Sequence, residues 1–200
     1  NSKDDDLSVR MIAVLVLAHA YKDDSTKTIL QELATAKNDD SGVRRITLGQ
    51  LAQAFKDDST KTILLQLATA KNDDSGVQVT AVAQLAKAFK DDSTKSILLQ
   101  LATAKDDDSG VQVTAVAQLA KAYKSQLELF EIYYNCAAND PFKGKHEWYR
   151  PNPRRVALEI IVKQYPQHDR TLPLLRDRAE NDPDEEVREY AEKQLKQWQG

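Results

Sequence analysis

Tandem carboxylates are the first residues in this chain whose type and spacing could do chemistry. Asp57 and Asp58 open "KDDST", Asp73 and Asp74 stand in "KNDDSG", and like clusters recur at Asp23–Asp24, Asp39–Asp40, Asp91–Asp92 and Asp106–Asp108. Clustered oxygens suit calcium, but a calcium loop alternates its ligands and ends in a distant bidentate glutamate. Neither "NDDSG" nor "DDDSG" has that pattern. Helix starts are the better reading. A short acid accepts the free backbone N–H groups of a first turn, and its charge complements the helix dipole.

Nucleophilic chemistry is no better placed. Cys136, the only cysteine, lies on the apolar stripe of its helix with no histidine near it in sequence, which reads as a small buried hydrophobe rather than a reactive thiol. His19, His146 and His168 are scattered, and no triad or metal set can be assembled by spacing. No phosphate loop of the G-x-x-x-x-G-K-[ST] type is present. The chain is therefore expected to be non-enzymatic, with no catalytic, cofactor or metal residues.

Binding chemistry has one clear candidate segment. Between 141 and 170, seven basic residues (Lys143, Lys145, Arg150, Arg154, Arg155, Lys163, Arg170) face three acids (Glu147, Glu159, Asp169), a local net of +4 in a chain whose net charge is −3. Aromatic and basic side chains mingle there at His146, Trp148, Tyr149, Arg150, Arg154 and Arg155, residue types that combine rigid contact area with directed hydrogen bonds. Two readings stand side by side: a recognition site, or a loop anchored by its own aromatics.

The elements that must position these residues follow from an internal period. "KDDST" at 22, 56 and 90, "SGV" at 41, 75 and 109, and the series Tyr21, Phe55, Phe89, Tyr123 all repeat every 34 residues. A period in this range means stacked units that each bury a face against the next. Every unit reads as two helices. The first, as in 75–90, is apolar on more than one side; the second, as in 59–71, carries Ile63, Leu64 and Leu67 on one stripe and Thr62, Gln66 and Thr69 on another. Ser75 with Gln78, and Ser109 with Gln112, fit a capping box. The outward stripe of the second helices is neutral and polar, and Leu65, Gln66, Leu99 and Gln100 are its candidate contact residues.

Regularity ends near residue 124. All six prolines lie at 141 or later, and helical patterns at 126–140, 152–166, 169–182 and 182–198 flank a loop at 141–151. The charged last helix reads as a polar cap. No apolar run approaches the ~20 residues needed to cross a bilayer. The lone cysteine and the lack of a signal-peptide pattern fit a cytoplasmic setting. Because the chain starts at Asn1 and its only methionine is Met11, it is expected to be a piece of a longer protein.

An acidic turn, a Val, a polar residue and an Ala soon after recur in "DLSVRMIA" at 6–13, "DSGVRRIT" at 40–47, "DSGVQVTA" at 74–81 and 108–115, and "DPDEEVREYA" at 182–191. These resemble HEAT and HEAT-like repeats. The resemblance implies an all-α, right-handed α-solenoid of about five helical pairs, one repeat domain over 1–200, with 1–124 regular and 125–200 divergent. The stretch 148–198 also looks like the HEAT-type tail of bacterial, notably cyanobacterial, NACHT-type NTPases of the STAND class. That resemblance implies a sensor or scaffold that binds a protein or peptide, with an ATPase module upstream in cis. Two other HEAT-like roles stay open: a bilin lyase or chaperone of phycobilisome assembly, and a DNA-binding protein of the glycosylase kind. An acidic chain without a row of basic residues on its second helices is a poor track for phosphates.

Overall fold

The computed structural model describes residues 2–104, 109–143 and 151–199. Among them are eleven helices and no strand: α1 (Ser2–Ala20), α2 (Asp24–Thr35), α3 (Ser41–Ala54), α4 (Asp58–Ala68), α5 (Ser75–Ala88), α6 (Asp92–Thr103), α7 (Ser109–Ala122), α8 (Leu127–Asn139), α9 (Pro153–Gln164), α10 (Thr171–Asn181) and α11 (Glu185–Gln199). No helix is long and apolar enough to cross a membrane, among the described residues. The expected all-helical architecture of repeating pairs is what forms. The chain divides into two compact units, Asn1–Ile97 and Leu98–Gly200.

The tandem aspartates start helices. Asp23, Asp57 and Asp91 accept the N–H of Thr26, Thr60 and Thr94 at 2.8, 3.0 and 3.0 Å. Asp40 accepts from Gly42 and Val43, and Asp74 from Val77. The capping box expected at Ser75 and Gln78 does not form. Asp74 is the cap one residue earlier, and the Gln78 side chain turns inward to donate to the carbonyl of Ala70. A carboxylate in capping position is the stronger acceptor, so the glutamine is released for a longer-range bond.

In the first unit, α3 packs on α1, α2 and α5, and α4 packs on α5. Val14, Ala18, Leu30, Val43 and Leu51 form a buried cluster there, with Leu7, Met11, Ile46 and Phe55 around it. Close approach has a local condition. A Cβ on Gly42 would lie 2.7 Å from the Met11 methyl and 2.9 Å from the capping oxygen of Asp40. In the second unit, α9 packs on α7, α8 and α11, and α10 on α11. Its core is more aromatic: Phe130 and Tyr133 are buried beside Tyr165, whose hydroxyl donates to the carbonyl of Gln126.

Polar rungs join successive pairs. Arg44, 2% exposed, grips Asp73 with two bonds of 2.6 and 2.8 Å and donates backward from Nε to the Ala34 carbonyl. Arg10 reaches Asp39 at 2.5 Å, and Lys27 and Lys61 reach Asp57 and Asp91 at 2.6 and 2.7 Å. In the second unit Gln112 bonds Asp140 at 2.6 Å, and Arg154 pairs with Asp182 at 3.0 Å. Period 34 thus repeats joints as well as helices.

Candidate binding surface

The repeated acids are spent inside the scaffold. The Lys27 ammonium, helped by the Thr60 N–H, holds the Asp57 carboxyl far below the usual carboxylate range, and Lys61 does the same for Asp91. Arg44 lowers Asp73 likewise. These carboxylates are anionic caps and ion-pair partners. Cys136 is equally committed: its thiol lies 6% exposed against the Pro153 carbonyl, and burial pushes its pKa up to about 12. A thiol held protonated is a poor nucleophile.

The sequence candidates are placed very differently from one another. His146, Trp148, Tyr149 and Arg150 lie outside the described residues. Arg154 is 3% exposed, and its donors go to Asp182 and to the carbonyls of Asp140 and Phe142, at 2.9 and 3.0 Å. It braces the chain on both sides of the loop and offers nothing outward. Arg155 is accessible, with its guanidinium 3.6 Å over the Tyr190 ring and bonded to Glu159. Leu65 and Leu99 are half-buried, while Gln66 and Gln100 are exposed on α4 and α6.

The threonines of that polar stripe bond within their own helices. Thr28 and Thr62 donate to the carbonyls of Asp24 and Asp58 at 2.9 and 2.8 Å. Thr69 and Thr103 donate back to Leu65 and Leu99 at 3.0 and 2.9 Å. A hydroxyl used this way leaves the glutamines as the outward donors.

A groove that no sequence motif marks lies between α7 and α9. It encloses about 630 Å³ over a floor of Ala117, Ala120, Val156 and Ile160, with Lys121, Lys124 and Lys163 at its rim. No carboxylate pairs with these three lysines among the described residues; Glu159, also on the rim, is held by Arg155. Gln164 closes one end, donating to the Ala120 carbonyl at 2.9 Å and accepting the Ser125 N–H at 3.1 Å. Ser125 adopts φ 55°, the one left-handed non-glycine among the described residues.

The groove coincides with a break in the repeat. "FKDDST" follows two of the regular first helices, whereas "YKSQLE" follows α7, so Ser125 and Gln126 stand at the register of Asp91 and Asp92 and carry no charge beside Lys124. Lys163 arrives from α9 at the register that Lys121 holds on α7. The missing acids were visible in the sequence; the convergence of three lysines from two helices was not.

A second cluster also carries no sequence motif. The His168 ring stacks on Phe130 with centroids 3.5 Å apart, and the Arg170 guanidinium lies 3.7 Å over Tyr134 and bonds Glu131. Its members satisfy one another, so it reads as a clasp holding the α9–α10 connection to α8. No protein-family profile, curated protein or solved structure matches the chain.

Proposed function

We propose that this chain is a non-catalytic protein-interaction scaffold whose recognition element is the α7–α9 groove, and that the groove takes an acidic segment of a partner protein with an apolar side chain between its carboxylates. One observation carries the reading: three lysines with no carboxylate partner among the described residues rim an apolar floor. Apolar contacts on the floor supply affinity, and the lysines supply orientation and a salt-dependent on-rate.

In this proposal the helical pairs are HEAT-like and wind right-handedly, and the resemblance of 148–198 to the tails of NACHT-type NTPases supports a sensor role in such a host. Capture of the acidic segment would then be the input that an ATPase in cis reads. Leu65 and Gln66 on α4, and separately Leu99 and Gln100 on α6, are further candidate contact residues.

Fluorescence anisotropy with a short labelled peptide alternating Glu and Leu tests the groove. Lys121→Glu with Lys124→Glu is expected to weaken capture at least about tenfold. A Gln-for-Glu peptide should bind comparably weakly to both proteins. Unchanged affinity in the double variant, or tighter binding of duplex DNA than of the peptide at the same salt, overturns the reading.

A further inference from the structure

Helix α1 exposes a face that its repeat equivalents cover, fully at the register of Val9 and in part at those of Ile12 and Val16, where Ile46 and Gln50 are half-buried. Val9, Ile12 and Val16, on one side of the helix, are 63, 59 and 58% exposed. One period later Val43 is 1% exposed in the cluster with Val14, Ala18 and Leu30, and Ile46 packs beside it. Val77 and Val111, at the same register, are 0 and 2% exposed. Within this molecule, therefore, the surface that covers the register is known: it is the forward side of a pair built like α1 and α2.

Two further features mark the same vacancy in the pattern. Arg44 bonds forward to Asp73 and backward to the Ala34 carbonyl, and Gln112 bonds forward to Asp140 and backward to the Ala102 carbonyl. Arg10 has the forward bond to Asp39 and, among the described residues, no backward one. Helix α1 also begins at Ser2, whereas α3 and α5 begin at Ser41 and Ser75, the register of Leu7. Lys3–Asp6 match Lys37–Asp40, which form the turn between α2 and α3. Where a preceding helix packs, these positions turn; here they run on as helix.

The molecule's own far end does not fit that face. At the register of Leu48 and Ala52, which are buried, α11 carries exposed Glu192 and Lys196. Seating them on Val9 and Val16 would desolvate two charges against an apolar surface.

We infer that the Val9–Ile12–Val16 face is a docking joint for a helical pair of the same 34-residue type, seated on α1 as α1 and α2 are seated on α3. The joint is independent of the lysine groove. Arg10 then donates from Nε to the last-turn carbonyls of the incoming second helix, as Arg44 does to Ala34.

The test places a copy of residues 41–70 directly ahead of Lys3 in the full chain, a junction that keeps register because Lys3 matches Lys71. The extended chain is expected to melt about 5 °C or more above the original, with slowed amide exchange over Val9–Val16. Val9→Asp with Val16→Asp should move the original chain's melting by about 2 °C at most and the extended chain's by several times that. An unchanged melting temperature and unchanged exchange on extension overturn the inference. So does sedimentation of the original chain as a dimer that the double variant dissociates, since a second copy would then cover the face.

Discussion

Phe89–Lys90–Asp91–Asp92 and Tyr123–Lys124–Ser125–Gln126 hold the same register in consecutive repeats and do opposite work. At the first, Asp91 accepts the Thr94 N–H and the Ser93 hydroxyl, pairs with Lys61 and starts α6. At the second, α8 begins after Gln126 without any side-chain cap, Ser125 turns left-handed, and Lys124 joins two other lysines around an apolar floor. The second register lacks both the cap and the rung that Asp91 supplies at the first. On the proposed function, this repeat protein gains its site where a capping and pairing group is missing, with no new motif required.

The largest expected effect comes from breaking a joint. Arg44→Ala strands the Asp73 carboxylate, 3% exposed, and should cost about 3–5 kcal/mol in denaturant unfolding. Arg10→Ala, whose side chain is 39% exposed, should fall far below that. Equal effects would mean that burial does not grade the rungs.

Restoring acid to the open repeat is next. Ser125→Asp with Gln126→Asp rebuilds "KDD" after Tyr123, and Asp tolerates the left-handed backbone. Affinity for the acidic peptide should fall about tenfold, roughly 1.4 kcal/mol, by anisotropy titration. Retained affinity would show that the missing carboxylates are not what opens the groove.

Removing acid from the closed repeat should act on stability alone. Asp91→Ser keeps a capping oxygen but loses the ion pair, while Asp91→Ala loses both, at about 1 kcal/mol. Thermal melts of the two variants separate cap from pair.

Acid titration gives the smallest signal. Asp57 and Asp91 have folded-state pKa values below their unfolded ones. The unfolded chain therefore binds protons first, and the stability these groups add is present above about pH 4 and lost as pH falls toward their folded values. Asp57→Asn with Asp91→Asn should flatten the fall of melting temperature below about pH 4. An unaltered acid slope would assign it to other carboxylates.

Much of the fold was legible because its causes are local. A 34-residue period, aspartates at helix starts and half-apolar second helices depend on neighbours within a few positions, and α4, α5, α8, α9 and α10 fall within three residues of the expected bounds. Longer-range bonds were not legible. Arg154 and Arg155 are adjacent and chemically alike, yet one is sealed against Asp182 and the other lies over Tyr190. Helical phase and the nearest carboxylate in space decide that, and neither can be read from composition. Gln78 likewise fits a capping box by spacing, but a distant carbonyl competes for it and wins.

By itself, the sequence determined where helices start, how often the pattern returns, and where the acids of one repeat are missing, since each is a property of contiguous residues. Tertiary structure alone decided which charges are consumed in rungs, that Lys121, Lys124 and Lys163 meet over one groove, and that Val9, Ile12 and Val16 stand open where Val43 is covered. Each of these depends on which side of a helix meets a neighbour, and burial and charge pairing are settled only by that meeting.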